Sequence, residues 1–349
     1  MKTHKNLFAN IIHPENLFWA WDSFKVGKRN KKDVRLFEFN LEENIFRLHR
    51  DLKNKTYRHG GYYSFNIADP KPRNIHKAQV RDRVVHHAIF QVLNPIFEDG
   101  FIPTSFSCRV DYGTHKGVRV LQGVLRKVSR NGTRQCFALK CDIKKFFDTI
   151  DHNILFSILT RKIRDAETNN LLWEIISSFS SPYSDATHQK GVPIGNLTSQ
   201  LFANVYMNKL DQFVKNELRI KYYLRYTDDF LIISENREYL ENLLPKIKIF
   251  LEENLLLKIH EDKTKIRKVW QGIDFLGYIA FTKYKLVRNK TKKRMLKKFK
   301  EKIKQYKQGI ISKNSLSQSL QSYLGFMSHA DAHETKQYFK SQFWFNVDE

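Results

Sequence analysis

Residues 222–233 read Tyr-Tyr-Leu-Arg-Tyr-Thr-Asp-Asp-Phe-Leu-Ile-Ile. The runs 222–226 and 230–233 are rich in aromatic and branched residues, a composition typical of β-strands. Between them lies Thr227-Asp228-Asp229, and aspartate tolerates the backbone geometry of a tight turn. The stretch therefore predicts a β-hairpin with two adjacent carboxylates at its tip. Adjacent carboxylates repel each other, so the arrangement favours a bound cation.

A third carboxylate ends another predicted strand. Residues 137–143 alternate between a face of Phe, Leu, Cys and Ile and a face of Ala, Lys and Asp, with Asp142 near the end. Hard divalent cations take oxygen ligands. Two such ions about 3.5–4 Å apart stabilise both the attacking and the leaving oxygen of a phosphoryl transfer. Asp142, Asp228 and Asp229 are therefore candidate catalytic residues, whereas an isolated Asp-Asp pair is more often an ordinary polar turn.

The composition indicates a folded protein with a polyanionic partner. The chain has 349 residues, is 41% hydrophobic and carries a net charge of +25 from 61 basic and 36 acidic side chains. Nucleic acid is the first candidate partner and an anionic membrane the second. No apolar stretch approaches the roughly 20 residues of a membrane span, and we expect no secretory signal. Three cysteines without zinc-ligand spacing favour a reducing cytoplasm.

Sequence patterns predict mostly helical structure at both ends of the chain. Beyond the strands above, we expect a strand at 62–67, a turn at 69–73, helices at 83–97, 152–163, 167–180, 199–218 and 238–254 (with a kink at Pro245), and short strands within 255–287. Residues 1–60 read as helical. Residues 283–309 hold 13 Lys or Arg and one acid, Glu301. A helical stripe runs through this segment, which predicts a helix with one packed and one basic face: Met295, Leu296, Phe299, Ile303 and Tyr306.

Three sequence boxes resemble those of reverse transcriptases and follow one another along the chain in the order that the family shows. Residues 226–229 resemble the Tyr-x-Asp-Asp box, residues 140–148 the first metal-binding motif, and residues 195–200 the Gly-x-x-x-Ser box. The resemblance runs from about residue 60 to 287. It implies an α+β right-hand polymerase, with fingers, an antiparallel-sheet palm that carries the Tyr-x-Asp-Asp hairpin, and a helical thumb. We expect a helical extension and the start of the fingers in 1–60, fingers and palm in 61–287, and the thumb in 288–349.

The resemblance also implies a role for each carboxylate. Asp142 and Asp228 would be the principal ligands of two Mg²⁺ ions, for which Mn²⁺ is the expected substitute. Asp229 would be a weaker or indirect ligand, and the backbone carbonyl of Ile143 a further one. The reaction implied is addition of deoxynucleotides to a primer 3′ end on an RNA template.

Further residues match the family's nucleotide-binding positions. Arg73, assisted by Lys71, would hold the triphosphate, because a guanidinium fork donates two hydrogen bonds to phosphate. Phe147 would exclude the 2′-hydroxyl of a ribonucleotide, and Lys263 would lie near the leaving pyrophosphate as a candidate general acid. The alternatives are a core aromatic for Phe147, a solvated basic turn for Arg73 and a surface charge run for Lys263. The full expected set is Arg73, Lys71, Phe147, Ile194, Gly195 and Lys263.

Primer and template contacts are expected from the Gly-x-x-x-Ser box, the hairpin, the primer grip at 275–278 and the basic helix. Phosphate contacts from this helix would add affinity without reading sequence. These residues are Ser199, Gln200, Tyr226, Gly277, Lys292, Lys293 and Arg294.

The form of the Gly-x-x-x-Ser region is similar to diversity-generating retroelement enzymes. Ile194 stands where group II intron enzymes have glutamine, and Gln200 where they have proline. An aliphatic side chain at 194 cannot hydrogen-bond the nucleotide, which favours error-prone copying. Defence-associated and retron enzymes remain alternatives, as do a catalytically dead RNA-binding protein and, for the palm chemistry, an RNA polymerase. A small accessory protein or a noncoding RNA is a further candidate partner; no membrane is expected.

Overall fold

The computed structural model describes residues 2–69 and 71–347 of the chain. Pro70, which falls in the predicted turn at 69–73, lies outside them. The helices are α1 Leu7–Ile12, α2 Pro14–Lys25, α3 Lys32–Phe39, α4 Leu41–Lys53, α5 Val80–Glu98, α6 Thr114–Val128, α7 Phe146–Thr149, α8 His152–Lys162, α9 Ala166–Ser177, α10 Leu197–Gln212, α11 Arg237–Leu255, α12 Asn289–Lys307, α13 Lys313–Ser328 and α14 His333–Val347. The strands are β1 Tyr62–Ile67, β2 Arg73–Ala78, β3 Phe137–Asp142, β4 Tyr223–Tyr226, β5 Asp229–Ser234, β6 Lys265–Lys268, β7 Ile273–Phe275, β8 Tyr278–Ala280 and β9 Lys285–Val287.

The central sheet has four antiparallel strands in the order β4-β5-β3-β6. Its two faces belong to two different hydrophobic cores. Leu139 and Cys141 of β3 pack into the larger core, whereas Ala138 packs into the smaller one. This is the period-two alternation expected for residues 137–143, and it is confirmed. Because both faces are buried, the sheet forms a fixed platform for whatever its strand ends carry.

Helices surround the larger core. The prediction that residues 1–60 are helical is confirmed by α1–α4, and α2 packs along α5. Trp21 at the centre of α2 is fully buried and lies 5.2 Å from the Phe37 ring. A buried aromatic of this size contributes roughly 1.5–3 kcal/mol through its removal from water. The N-terminal helices are therefore part of the main core.

The smaller core holds the C-terminal helices together with the three-stranded sheet β7-β8-β9. In α12, Met295, Phe299 and Ile303 are buried, as the predicted stripe required. Leu296 and Tyr306 are half-buried against the same core. Within the described residues, no helix is long and apolar enough to cross a membrane.

Helix α9 ends at Ser177, three residues before the predicted end at residue 180. Two further predicted helices also differ from the structure near their ends. Residues 199–218 were expected to form one helix, but α10 begins earlier at Leu197 and ends at Gln212, and a π-helical turn, Phe213–Glu217, follows. The expected helix 83–97 begins three residues earlier, at Val80. The apolar pattern continues through both junctions, so the side chains alone carry no signal for the change in backbone hydrogen bonding.

Candidate active site

The hairpin of β4 and β5 brings the carboxylates to one end of the central sheet. Tyr226 pairs with Asp229 in the antiparallel register, so the turn falls at Thr227 and Asp228. Asp142, the last residue of β3, lies directly opposite Asp229 on the neighbouring strand. The backbone amide of Ile143 donates to the Asp228 carbonyl at 3.3 Å. Asp142 therefore meets the adjacent pair Asp228 and Asp229, which is remote from it in sequence, at one end of the sheet.

Two lysines accompany these carboxylates. The Lys263 ammonium forms an ion pair with Asp142, and Lys140 forms one with Asp229 at 3.1 Å. Lys140 also donates to the Asp274 carbonyl of β7 at 2.8 Å. The second contact ties the acidic end of the central sheet to the β7–β8 hairpin. Lys263 lies beside the acidic group, and its role near the leaving pyrophosphate stays a prediction.

Both hairpin carboxyls have raised pKa values. Burial raises the pKa of Asp228 to about 6, helped by the negative charge of Asp142, while Lys263 and Lys71 act against the rise. Burial likewise raises the pKa of Asp229 to about 6, and Lys140 opposes it. Loss of water disfavours a charged carboxylate unless a cation compensates it. The electrostatics of the site therefore favour additional positive charge.

The acidic side chains fit a divalent cation by their chemistry. Asp229 Oδ1 is buried and has no hydrogen-bond partner, which leaves one carboxylate oxygen free to ligate. In the arrangement described, however, no three His, Cys, Asp or Glu side chains within residues 2–69 and 71–347 are grouped closely enough to hold an ion. Lys263 holds Asp142 instead, so ligation by Asp142 requires this side chain to exchange ammonium for metal. Lys140 contacts only Oδ2 of Asp229 and leaves Oδ1 available.

A buried ion pair lies directly beneath the turn. Arg225 of β4 and Asp211 of α10 are both fully buried, and the guanidinium donates to both carboxylate oxygens, at 2.7 and 2.6 Å. Tyr223 donates to the same carboxylate at 2.8 Å. Burial works against the charge of Arg225, but Asp211 keeps the pKa of the guanidinium above its ordinary value. A fork-to-fork pair of this kind fixes both distance and angle.

Arg225 extends this network to the turn itself. Its Nη1 donates to the Thr227 carbonyl at 3.0 Å, and the Thr227 hydroxyl donates to Ser107 Oγ at 2.6 Å. Thr227 has a positive φ of 55°, an unfavourable conformation for a β-branched residue. Sequence reasoning missed Arg225 and Asp211. The available signal was a charge inside the β-prone run 222–226 and a carboxylate beside the buried Leu210 of α10.

The expected nucleotide-binding residues lie on several elements around this edge. Lys71 is close enough to Asp228 to influence its pKa, and Arg73 is exposed at the start of β2. The Ile194 carbonyl accepts from His76 of β2 at 3.3 Å. Gly195 has φ +126°, and a Cβ there would lie 3.3 Å from Ile75. Residues 194–195 therefore pack against β2.

Phe147 is half-buried, with its ring 5.3 Å from that of Phe146 at the edge of the larger core. Its carbonyl accepts from the Val192 amide at 2.8 Å, which joins the segment after β3 to the segment before Ile194. The backbone of Phe147 is thus joined to the segment that leads to Ile194.

The expected primer and template residues differ in accessibility. Gln200 is exposed and Ser199 buried, so of these two residues only Gln200 presents its side chain at the surface. Tyr226 is half-buried. Gly277 forms the β7–β8 turn with φ +88°, and a Cβ there would lie 3.5 Å from Phe326 of α13.

On α12, Lys293 is exposed, whereas Lys292 and Arg294 are half-buried. Arg294 lies 3.7 Å from Asp69, and Lys298 of the next turn lies 2.5 Å from the same carboxylate. The basic helix α12 thus contacts the turn of the β1–β2 hairpin through these two cations.

Comparison with known proteins identifies the family to which the chain belongs. The family described as reverse transcriptase (RNA-dependent DNA polymerase) matches residues 67–280, more than half of the chain. The chain belongs to this family. Membership implies a right-hand polymerase fold, with which the mixed helices and antiparallel sheets agree.

Individual relatives are more distant. Protein YkfC of Escherichia coli is 28% identical over 232 residues, which cover 57% of this chain and 60% of that protein. The group II intron-encoded protein LtrA of Lactococcus lactis is 23% identical over 342 residues, or 78% and 56% of the two chains. A putative COX1/OXI3 intron 2 protein of Saccharomyces cerevisiae is 23% identical over 277 residues, or 63% and 30%. The chain thus spans less than two thirds of the length of these relatives.

Proposed function

We propose that this protein is an RNA-directed DNA polymerase that adds deoxynucleotides to a primer 3′ end on an RNA template. The observation that carries the proposal is the convergence of Asp142 with Asp228 and Asp229 at one end of the central sheet. Family membership supports the same chemistry. The net charge of +25 suits a nucleic-acid duplex as the bound substrate.

The carboxylates would hold two Mg²⁺ ions, with Asp142 and Asp228 as principal ligands and Asp229 and the Ile143 carbonyl as additional ones. When bound, these ions supply charge stabilisation at the attacking and leaving oxygens. Lys263 would then move from Asp142 towards the departing pyrophosphate, neutralising it and supplying a proton. Lys140 would remain on Asp229, because its second contact with Asp274 holds it in place.

The nucleotide would bind beside the joined surface of β2 and the segment that carries Ile194. Arg73 and Lys71 would bind its triphosphate, and the Phe147 ring would press on the sugar where a ribonucleotide has its 2′-hydroxyl. Gln200, Gly277 and the basic face of α12 would position the template and primer. In this arrangement the chain's own residues bind and orient, and the reacting atoms stay in line.

Primer extension on an RNA template tests the proposal. We expect Asp228→Asn to reduce extension more than about 100-fold, since it removes charge from the reacting centre. Asp262→Asn is the matched control, because this carboxylate is 95% exposed and lies outside the acidic edge. RNA binding should persist in both variants. Equal extension by wild type and Asp228→Asn would contradict the proposal and favour the alternative hypothesis, an RNA-binding protein without catalysis.

The sugar assignment has its own test. We expect Phe147→Ala to admit ribonucleotides at the primer end, while deoxynucleotide addition changes less. The neighbouring Phe146→Ala is the control, since that ring is buried in the core and should lower stability without changing sugar choice. A wild-type enzyme that already prefers ribonucleotides would contradict the proposed gate and favour an RNA polymerase.

For the biological system, we propose error-prone cDNA synthesis of the diversity-generating type. The aliphatic Ile194 supports it, because this side chain offers the nascent base pair no hydrogen bond. Restoring an amide with Ile194→Gln should lower misincorporation in a fidelity assay, and an unchanged error spectrum would contradict the proposal.

The second candidate system is a phage-defence or retron enzyme, which would copy a dedicated noncoding RNA or make DNA without a template. A neighbouring variable-repeat target and a small accessory gene would favour diversity generation; a neighbouring toxin or effector would favour defence. A cytoplasmic location is part of either proposal. Sequencing the nucleic acid that copurifies with the protein identifies the template.

A further inference from the structure

A second basic surface lies at the opposite end of the central sheet from the carboxylates. It is a groove of about 410 Å³ between the α6–β3 connection, the end of β6 and the β8–β9 turn. Phe137, the first residue of β3, pairs with Lys268 at this end, while Asp142 is the last residue of the same strand. Five residues of strand separate the two ends by roughly 17 Å. We call this surface the rear groove.

The rear groove combines aromatic rings with cations. The Trp270 side chain is 68% exposed and Tyr284 is 47% exposed, while Phe281 stacks on Tyr284 with ring centroids 4.6 Å apart. Arg134, Lys268 and Lys283 also line it. Among the described lining residues there is no carboxylate, although Arg134 reaches Glu235 just outside at 2.9 Å. Large exposed rings are ordinarily unfavourable in water, so their grouping here indicates a ligand.

The groove walls are built before any ligand binds. Arg130, Asn131 and Gly132 take three successive positive φ values, 47°, 59° and 94°. The Ser129 carbonyl holds this turn by accepting from Gly132 and from Arg134, at 3.0 and 2.8 Å. A Cβ on Gly132 would lie 3.6 Å from Thr282, so the turn closely approaches the β8–β9 turn. A preformed groove loses little entropy on binding.

We propose that the rear groove binds a single-stranded segment of RNA, separately from the catalytic cleft. Unpaired bases can stack on Trp270 and on the Phe281–Tyr284 pair, while the three cations neutralise the adjoining phosphates. A duplex keeps its bases stacked inside the helix and would leave the rings unused. An acidic peptide would pair with the cations but has no flat groups for the rings. A volume of about 410 Å³ is in the range of sites that hold one nucleotide-sized group.

This inference goes beyond the proposed polymerase activity and does not depend on it. An RNA held at the rear groove would remain attached while the cleft moves along its template. Tethering of this kind raises the local concentration of that RNA at the cleft without any new catalytic contact.

The test measures RNA binding by the full chain while the catalytic cleft is saturated with an unlabelled RNA–DNA primer-template. The probe is a fluorescent oligouridylate, followed by anisotropy without nucleotides. We expect Trp270→Ala/Tyr284→Ala to weaken binding at least about tenfold, because each lost ring removes a stacked base. Lys268→Ala/Lys283→Ala should lower the slope of log affinity against log salt by about 1.4. The control Trp19→Ala/Phe39→Ala removes two exposed rings elsewhere, of 57% and 87% exposure, and should change nothing.

Unchanged affinity in Trp270→Ala/Tyr284→Ala would overturn the proposal, as would the absence of any binding once the cleft is saturated. Tighter binding of a polyglutamate peptide than of the oligouridylate would assign the groove to a protein partner instead. As a second measurement, a photoreactive uridine should crosslink wild-type protein within residues 268–284. Asp228→Asn should bind the probe normally. Wild-type protein that binds RNA in the rear groove without extending primers would contradict only the polymerase proposal.

Discussion

The buried pair of Arg225 and Asp211 gives the sharpest prediction about the hairpin. The perturbation is Arg225→Met, which keeps much of the side-chain length and removes the charge. It leaves Asp211 fully buried, with Tyr223 as its remaining donor. Removing one partner of a buried ion pair costs about 3–5 kcal/mol, since an uncompensated charge stays out of water. We expect that loss in the free energy of unfolding, measured by urea denaturation near neutral pH.

Two further variants separate stability from positioning. In Arg225→Met/Asp211→Leu both charges are gone, and such replacements are often neutral or stabilising. Asp211→Leu also leaves the buried Tyr223 hydroxyl without an acceptor, which costs about 1–3 kcal/mol. Adding Tyr223→Phe to the same variant removes this cost. Most of the stability should therefore return. Primer extension should stay low, because the Thr227 carbonyl has lost its Arg225 donor and the turn that carries Asp228 is no longer held.

The matched control is Arg237→Met. Arg237 pairs with Glu241 on the surface, with side chains 57% and 48% exposed. An exposed pair four residues apart on a helix contributes only about 0.3–0.5 kcal/mol. A loss below about 1 kcal/mol for Arg225→Met would refute the assignment of a costly buried charge. Full recovery of extension together with stability in the double variant would show that the pair only stabilises and does not position the turn.

Three other changes test separate features. The folded-state pKa of Asp228 is about 6 against an ordinary 3.8, so its unfavourable contribution appears as pH rises from about 4 to 6 and is complete above that range. In metal-free buffer, Asp228→Asn should therefore raise the free energy of unfolding by up to about 3 kcal/mol at pH 8 and by almost nothing at pH 4; equal gains at both would contradict the shift. Gly277→Ala should cost about 1–2 kcal/mol from the positive φ alone, since a Cβ there meets Phe326 at an ordinary 3.5 Å, and an unchanged urea midpoint would argue against that backbone conformation. Phe339→Ala, in a fully buried ring 5.1 Å from Phe299, should cost about 3–5 kcal/mol in the same assay, and a loss under 1 kcal/mol would mean that α14 does not pack there.

Local pattern was sufficient wherever one residue type decides the backbone or the face. The hairpin at 222–233 followed from two β-prone runs around Thr227-Asp228-Asp229, and it is confirmed as β4 and β5. The alternation of residues 137–143 correctly divided β3 between two cores. The stripe of α12 correctly named its buried residues. In each case the physical cause is a repeat that matches the geometry of the element.

Long-range polar contacts were beyond the sequence. Lys140 had no predicted role and Lys263 was expected near the pyrophosphate, yet each lysine takes one of the acidic side chains as its partner. Ser199 lies in a motif expected at the nucleic acid but is buried, while its neighbour Gln200 is exposed. Which face a helix turns inward at its first turn depends on what packs against it. Local residue spacing does not predict which face that is.

By itself, the sequence determined the family, the carboxylates worth testing and the basic character of α12, because each is carried by residue type and order along the chain. Only the tertiary structure decided that Asp142 stands opposite Asp229, that Arg225 and Asp211 meet under the turn, and that three segments, two of which carry aromatic rings, form the rear groove. The reason is that these relations depend on strand register and on packing between distant segments. Their energies arise when groups remote in sequence leave water together.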